Sequence, residues 1–266
     1  MKTIVSFGGG TNSTGMLVGM YERGERPDEI WFADTGGEKP HTYKHIGDVN
    51  AWLASVGFPQ ITVLKGREVW TPQMVIDGTL ENECLRLGTL PSKTYGFSQC
   101  SIKWKLEPSN RKLKKYLESN SLTMQDVVRC VGFDAGEPSR YERAKDIMER
   151  NPKLVRERWP LIEWDWDRES CVEAITRAGI PQPGKSACFF CPSSKKKELL
   201  DMQVQYPELL MRAVEMERKA MAGEGKASPS RCGLGRSYVW GDFVRKGAEA
   251  ICDFGQPSED CMCNDG

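Results

Sequence analysis

The chain has 266 residues, more than the roughly 100 to 200 residues of a typical domain, which suits one large α/β domain or one domain with an appendage. Hydrophobic residues make up 39% of it and charged residues 28%, which is enough for a sizeable core and excludes wholesale disorder. Its 37 lysines and arginines balance 37 aspartates and glutamates, so no strong net charge draws the protein to nucleic acid.

The sequence carries no membrane or export signal. No apolar run approaches the ~20 residues that a membrane span needs, and the first residues lack the apolar core and cleavage site of a signal peptide. We therefore expect a cytoplasmic protein with no membrane partner. In that compartment, ten cysteines beside two histidines indicate metal or redox chemistry rather than a disulfide framework.

The first 65 residues alternate between strand and helix. Runs rich in β-branched and aromatic residues predict strands at 3–7, 29–33 and 60–64, and helices are predicted at 12–22 and 40–55. This alternation implies right-handed crossovers and a parallel sheet. The predicted fold class is α/β, a Rossmann-like parallel sheet flanked by helices.

The rest of the chain is more helical and changes composition near its end. After a weak helix near 72–80, we predict a basic helix at 100–117, a strand at 126–133, a helix at 139–150, a fifth strand at 161–164, and helices at 168–178, 195–202 and 207–221. Glycine, serine, proline and cysteine dominate from residue 223, so the last residues are expected to be mobile. We predict an α/β domain at 1–180 and a smaller Cys-containing helical region at 181–266.

A glycine-rich turn joins the first strand to the first helix, in the run Ser6-Phe7-Gly8-Gly9-Gly10-Thr11-Asn12-Ser13-Thr14. Glycines let a ligand approach the backbone closely, and a helix start offers unpaired N–H groups and a positive dipole end. The run therefore predicts a phosphate cradle, although it has neither the Gly-Lys-Ser/Thr ending of a Walker loop nor Gly-x-Gly-x-x-Gly spacing. The alternative is a tight turn that needs glycine only for positive φ angles.

Five segments in order resemble one family. Gly8-Gly9-Gly10-Thr11-Asn12-Ser13 resembles the PP-loop, Ser-Gly-Gly-x-Asp-Ser, of the adenine nucleotide α-hydrolase-like superfamily. More narrowly, it resembles the phosphoadenosine phosphosulfate (PAPS) reductase family and its phosphorothioation-type sulfurtransferase relatives. The other segments are Asp34-Thr35-Gly36 with Glu38, Pro40, Thr42 and Tyr43; Cys100, Lys105 and Pro108; Gly132 to Glu137 with Arg140; and Cys188-Phe189-Phe190-Cys191-Pro192.

The resemblance spans residues 3 to about 200 and implies that 1–180 is a PP-loop nucleotide-binding domain. It implies that ATP or PAPS is contacted by Ser6, Gly8, Gly9, Gly10, Asn12, Ser13, Thr14, Asp34 and Thr35. Four positions depart from the pattern. Gly8 and Asn12 replace the serine and aspartate of the loop, so a carboxylate that could help hold Mg²⁺ is missing there. Asp134 and Gly136 replace an arginine and an aspartate.

Candidate catalytic groups follow from charge and position. Asp34 is predicted at the carboxyl end of the second strand, where open α/β sheets bind ligands, and there it could hold Mg²⁺ or a ribose hydroxyl. The alternative is a turn-forming aspartate. Lys105 and Arg140 are predicted to neutralise phosphates, Arg140 by a bidentate grip. His41 and His45 lie one helical turn apart, but no Glu or Cys accompanies them, so surface histidines are favoured over a metal pair.

Cys188 and Cys191 form a Cys-x2-Cys turn that can present two thiolates to one metal ion. By the family resemblance Cys100 joins them to bind a [4Fe–4S] cluster. Cluster-containing relatives have a tandem Cys-Cys there, whereas Ser101 follows Cys100 in this chain. Zinc is the alternative metal. An iron left open by a three-cysteine site could bind sulfide.

The remaining cysteines are less clearly assigned. The candidates for the fourth ligand are Cys130, Cys171 and Cys232, whereas Cys84 and Cys252 are interpreted as buried hydrophobic residues. Family reductases have a nucleophilic cysteine in Glu-Cys-Gly-Leu-His, and Cys232 shares only Cys-Gly-Leu with it. Cys261 and Cys263 form a Cys-x-Cys pair suited to relaying sulfur, or else belong to a metal-binding or unstructured end.

Three functions follow from the resemblance. The first is ATP-dependent adenylation with pyrophosphate release, coupled to sulfur transfer through a Cys-bound metal centre. Its catalytic residues would be Asp34, Lys105, Arg140 and Cys232, with Mg²⁺, a sulfur donor such as a cysteine desulfurase, and a nucleic-acid acceptor. The second is phosphoadenylyl-sulfate or adenylyl-sulfate reduction, in which thioredoxin regenerates the cysteine. The third is a catalytically quiet nucleotide-binding protein, motivated by Asn12 and Gly136.

Overall fold

The structure is a computed structural model that describes residues 1–66, 69–71, 74–76, 78–91, 93–94 and 97–246, with the backbone alone at 69–71, 74–76, 93–94 and 97–98. The chain divides into two compact units, one of Met1–Asn82 with Lys93–Phe189 and one of Glu83–Ser92 with Phe190–Gly266. A compact unit need not fold independently, so the predicted domain boundary at residue 180 stays a prediction.

Nine strands occur in the described ranges. They are β1 (Lys2–Ser6), β2 (Glu29–Asp34), β3 (Ile61–Lys65), β4 (Val69–Thr71), β5 (Met74–Ile76), β6 (Lys93–Thr94), β7 (Phe97–Ser98), β8 (Val127–Val131) and β9 (Arg156–Arg158).

The α-helices of the same ranges are α1 (Thr11–Glu22), α2 (Pro40–Ser55), α3 (Leu80–Leu87), α4 (Gln99–Ser101), α5 (Glu107–Asn120), α6 (Pro138–Arg150), α7 (Pro160–Glu163), α8 (Arg168–Arg177), α9 (Lys196–Gln205) and α10 (Pro207–Ala222). A π-helical turn, Ile102–Leu106, joins α4 to α5. No helix in these ranges combines the length and the hydrophobicity that crossing a bilayer requires.

The first unit contains a five-stranded sheet in the order β3-β2-β1-β8-β9, and every neighbouring pair is parallel. This confirms the predicted α/β class. The chain passes from β1 to β2 on one side and later to β8 on the other, so the strand order switches at β1. Open α/β sheets bind ligands in the crevice outside the carboxyl ends of the strands at such a switch point.

Side chains on alternating positions of the strands build two apolar layers. Val5 and Phe32 pack into a core with helices α1, α2 and α8, whereas Ile4, Trp31 and Val127 pack against α5 on the other face. Central parallel strands are covered on both faces, and the middle of β2 is accordingly a continuous apolar run rather than an alternating one. These layers hold the end of β1 and the start of α1 in fixed positions.

Two predicted elements are wrong. Residues 161–164 were expected to form the fifth strand, but α7 covers most of them, because Pro160 is well suited to the first position of a helix. The fifth strand is β9, whose three residues are all charged and join the sheet through backbone pairing with β8. The weak helix near 72–80 is a strand at Met74–Ile76 and a helix that begins at Leu80, while 72, 73 and 77 lie outside the described residues.

Candidate functional site

The three glycines between β1 and α1 are not equivalent. Gly9 has φ +72°, and a Cβ there would lie 2.9 Å from Thr42 Cγ2 and 3.3 Å from Phe32, so the fold itself requires glycine. Gly8 and Gly10 have no positive φ, and a Cβ on either would meet nothing closer than 3.7 Å or 3.6 Å. Only Gly9 therefore fits the tight-turn alternative, and Gly8 and Gly10 leave the backbone open to a ligand.

The hydroxyl groups at the start of α1 stabilise this turn through hydrogen bonds to its backbone. Ser13 Oγ and Thr14 Oγ1 donate to the Gly10 carbonyl at 3.1 Å and 3.0 Å. Thr14 Oγ1 also lies 2.9 Å from His45 Nε2 of α2. His45 is buried, so the expectation of a surface histidine is wrong for it, and burial lowers its pKa. The turn is thus fixed by polar contacts between α1 and α2.

Asn12, the second residue of α1, contacts the segment that follows β8. Its Nδ2 donates to Asp134 Oδ2 at 2.7 Å, and Asp134 Oδ1 accepts from the Gly136 backbone N–H at 2.9 Å. Asp134 is buried, and Asn12 Oδ1 is buried without a hydrogen-bond partner in the described part of the chain. Two departures from the family pattern are therefore in direct contact, and together they leave a carboxylate beside the glycine-rich turn.

Asp34 ends β2 and organises the loop after it. Its Oδ1 accepts from the Gly36 backbone N–H and from the Tyr43 hydroxyl, both at 2.8 Å. Burial and this carboxylate raise the pKa of Tyr43, so the phenol stays protonated, and can donate to Asp34, to a higher pH than an ordinary tyrosine. Asp34 forms the turn, as the alternative prediction had it, and it remains partly exposed at the carboxyl edge of the sheet.

A buried carboxylate, Glu38, connects the glycine-rich turn to the π-helical turn. The Glu38 side chain has 0% exposure, and its Oε1 lies 3.1 Å from Lys105 Nζ. Ser186 Oγ donates to the Gly8 carbonyl at 2.6 Å and lies 3.4 Å from Glu38 Oε2. The sequence analysis included Glu38 in a matching segment but gave it no role, and no local signal singled out Ser186.

A cleft of about 400 Å³ opens at the ends of β1, β2 and β8, within the first unit. Its polar and glycine lining includes Ser6, Gly8, Lys105, Arg129, Arg140 and Glu157. The structure therefore brings together Ser6, Gly8, Lys105 and Arg140, which were predicted from distant segments. Arg140 stacks on Phe133, with 4.3 Å between the guanidinium carbon and the ring centroid. Arg129 and Glu157 were not predicted.

Cys188 lies against the loop that follows β2. Its Sγ is 3.0 Å from Thr35 Oγ1, and the next residue, Phe189, donates its backbone N–H to the Gly37 carbonyl at 2.8 Å. Cys188 also pairs with Glu38 through an isolated β-bridge. Among the predicted cysteines, this thiol therefore sits beside the segment that carries Asp34. Cys100 precedes Ser101, which lines the cleft.

The predicted metal site is not assembled in the described ranges, where no three or more His, Cys, Asp or Glu side chains are grouped as a metal site. Cys130 and Cys171 are buried, and burial raises the pKa of each thiol to about 12, which disfavours the thiolate that a ligand needs. Cys84 is buried as predicted. The ligand set stays a prediction, and Cys252, Cys261 and Cys263 lie outside the described residues.

Cys232 belongs to the second unit and is exposed. Its segment is tied to α10 by Glu217, a buried carboxylate that accepts from the backbone N–H groups of Leu234 at 2.6 Å, Trp240 at 2.9 Å and Gly241 at 2.9 Å. Three donors satisfy a buried carboxylate, so Glu217 is the anchor of this segment. The predicted catalytic and ligand roles of Cys232 stay predictions.

No protein-family model matches the chain. It is similar to two uncharacterized proteins of Methanocaldococcus jannaschii. MJ0973 is 26% identical over 199 residues, which are 72% of this chain and 42% of that protein. MJ0066 is 25% identical over 217 residues, which are 77% of this chain and 39% of that protein. The chain thus spans about two fifths of the length of these relatives.

Among solved structures, the chain aligns over its full length with 76% of the U34-tRNA thiolase NcsA from Methanococcus maripaludis with its [4Fe-4S] cluster, at 13% identity and a TM-score of 0.42. A TM-score below 0.5 does not establish a shared fold.

Proposed function

We propose that the chain is a PP-loop enzyme that binds ATP in the cleft, adenylates an acceptor oxygen with release of pyrophosphate, and so allows sulfur to replace that oxygen. The observation that carries this proposal is the position of Cys188. Its Sγ lies 3.0 Å from Thr35 Oγ1, one residue after Asp34 at the carboxyl edge of the sheet. A thiol at this edge, where open α/β sheets bind their ligands, is suitably placed for sulfur transfer driven by a nucleotide.

Each group around the cleft has a role in this proposal. The open backbone at Gly8 and Gly10 and the start of α1 bind phosphate oxygens, and Lys105 and Arg140 neutralise the charge that builds up on them. Glu38 holds Lys105 in position through a contact of 3.1 Å. The ammonium group is thereby oriented before the nucleotide binds, which lowers the cost of organising the site.

The chemical groups also fit the Mg²⁺ that accompanies a triphosphate. Mg²⁺ prefers oxygen ligands and is usually held by one or two carboxylates together with phosphates and waters. Such oxygens are supplied by Asp34 at the edge of the sheet and by Asn12 Oδ1, which lies beside Asp134 and has no hydrogen-bond partner among the described residues. In this role Mg²⁺ would neutralise phosphate charge and orient the leaving pyrophosphate.

The proposed reaction has two displacements. The acceptor oxygen attacks the α-phosphorus of ATP, the bond from that phosphorus to the bridging oxygen breaks, and pyrophosphate leaves. A sulfur nucleophile then attacks the carbon that bears the adenylated oxygen, and AMP leaves with that oxygen. The acceptor would be a nucleic-acid base, and the sulfur would come from a donor such as a cysteine desulfurase.

The sequence predicts a [4Fe–4S] cluster or a zinc ion at Cys100, Cys188, Cys191 and Cys232. The described residues do not group these side chains into a site, so the ligand set stays a prediction. Neither proposed displacement involves this metal centre.

The test measures ATP binding by calorimetry and pyrophosphate release in the presence of mixed tRNA or DNA. Gly8→Ala should reduce ATP affinity at least about tenfold, because a methyl group there blocks the approach of phosphate to the backbone. The control Gly47→Ala places a methyl group in open space within α2 and should leave binding unchanged. Sulfite release from PAPS with thioredoxin would instead identify a reductase, and ATP binding without turnover would identify a quiet binding protein.

A further inference from the structure

The inner wall of the cleft contains a cross-strand pair of opposite charge. Arg129 of β8 and Glu157 of β9 are register partners in the parallel pairing, and both side chains line the cleft. Arg129 is 5% exposed and Glu157 is partly buried. These residues carry polar groups on the sheet face where Val127 and Val155 are apolar.

Arg129 and Glu157 do not form a salt bridge with each other. No nitrogen of the Arg129 guanidinium lies within 4.0 Å of a Glu157 carboxylate oxygen, and the hydrogen bond that the described residues provide to Arg129 is from its Nη2 to Asn110 Oδ1, at 3.0 Å. Burial lowers the pKa of Arg129 and raises that of Glu157, with each opposing the shift of the other. A buried guanidinium has five N–H donors, so most of its capacity is available to a ligand.

The distance between this pair and the glycine-rich turn sets how long a ligand must be to contact both. Ser6 at the end of β1 pairs with Val131, and Arg129 lies two residues earlier on β8, which is about 7 Å deeper along the strand. The same cleft extends from Gly8, Lys105 and Arg140 to Arg129 and Glu157. A ligand whose phosphates bind at the turn therefore directs its other end toward the pair.

The charges of Arg129 and Glu157 indicate which chemical group of the ligand, at the end away from its phosphates, fits between them. A second phosphate would be attracted by Arg129 but repelled by the neighbouring Glu157. A neutral planar group with an acceptor next to a donor satisfies both residues. Leu106 forms part of the same wall, and a second, largely apolar cavity of about 390 Å³ adjoins the pair, so hydrogen bonds here form in surroundings of low polarity, where they are strong.

We propose that Arg129 donates to the N1 ring nitrogen of adenine and that Glu157 accepts from its exocyclic amino group, so that the two residues determine which base the cleft accepts. This proposal rests on the proposed function, which supplies the nucleotide. It assigns base recognition to two side chains of β8 and β9 that no motif in the sequence marks.

The experiment is a thermodynamic cycle in which the base of the ligand and residue 157 of the protein are each changed, alone and together. ATP is compared with purine riboside triphosphate, which keeps the ring nitrogen but lacks the amino group, and both dissociation constants are measured by calorimetry. Wild-type protein should bind ATP at least about tenfold more tightly, because loss of the amino group removes one donor from the partly buried Glu157 carboxylate. In Glu157→Ala the preference should fall below about twofold.

Two further variants make the result specific. Glu157→Gln retains an acceptor oxygen and should keep part of the preference, whereas Glu142→Gln, at an exposed position of α6, should keep all of it. Circular dichroism of each variant checks the fold. An ATP preference that persists in Glu157→Ala would overturn the assignment while leaving ATP binding, and hence the proposed function, intact.

A second outcome would also overturn it. Adenosine 3′,5′-bisphosphate could bind much more tightly than AMP, with the difference lost in Arg129→Gln, and Arg129 would then hold an anion rather than a base. If wild-type protein does not bind ATP at all, the proposed function fails first, and the two failures are thus distinguishable.

Discussion

The hydrogen bond of 2.7 Å from Asn12 Nδ2 to Asp134 Oδ2 joins two positions that looked like separate losses in the sequence. Compared with the family pattern, Asn12 replaces an aspartate of the loop, and Asp134 replaces an arginine in the segment after β8. In the folded chain the two changes meet, so the carboxylate is retained at the start of α1 but is carried by a different segment. A hydrogen bond to an ionised carboxylate is also stronger than one between neutral groups.

The swap of these two side chains is testable. Asn12→Asp places two carboxylates at hydrogen-bond distance, so it should reduce the free energy of unfolding by about 2 kcal/mol at pH 7.5, through repulsion or through forced protonation of one carboxyl. Asn12→Asp with Asp134→Asn restores an amide–carboxylate pair and should recover most of that loss. Urea unfolding of the four proteins measures the coupling, and strictly additive effects would contradict the contact.

At the scale of elements, the pairing of α1 with α2 makes stability depend on pH. Burial lowers the pKa of His45, which lies 2.9 Å from Thr14 Oγ1. The folded state therefore takes up this proton at a lower pH than the unfolded chain, whose histidine titrates near pH ~6.5. The stability contributed by neutral His45 is complete above that pH and is lost as the pH falls through the lowered folded pKa.

His45→Gln removes the titration while keeping a side chain that can hydrogen-bond to Thr14. Between pH 7.5 and 5.0, wild-type protein should lose more unfolding free energy than the variant, by up to about 1.4 kcal/mol for each pKa unit of the shift. Urea unfolding at several pH values checks this. Parallel pH profiles for the two proteins would show that His45 does not carry the effect.

The length and periodicity of an element decided whether it could be predicted. The sixteen residues of α2 match the predicted range 40–55, because an apolar stripe and a proline at the first position mark a helix locally. The three charged residues of β9 were missed, since their strand conformation comes from backbone pairing with β8. Arg129 and Glu157 were missed for the same reason, because their partnership exists only in the register between two strands.

At the scale of the whole molecule, the cysteines predict which metal the protein contains. Protein purified without oxygen should contain iron and sulfide bound by Cys100, Cys188 and Cys191, since thiolates are the ligands of such clusters. Metal analysis and an absorption spectrum measure this. Cys188→Ala should remove the metal, and the control Cys84→Ala, at a buried position, should retain it. A colourless protein that contains only zinc would contradict the cluster, and full metal retention in Cys188→Ala would contradict its role as a ligand.

The sequence by itself determined the α/β class, the glycine-rich turn between the first strand and the first helix, and most long elements, because each depends on residues close together in the chain. Only the tertiary structure decided how the motifs serve one site. It distinguished Gly9, which the packing requires, from Gly8 and Gly10, which are open to a ligand. It also joined Asn12 to Asp134, Glu38 to Lys105, and Cys188 to Thr35. These contacts connect residues that are 67 to 153 positions apart, and only the closure of the parallel sheet brings such residues within hydrogen-bond distance.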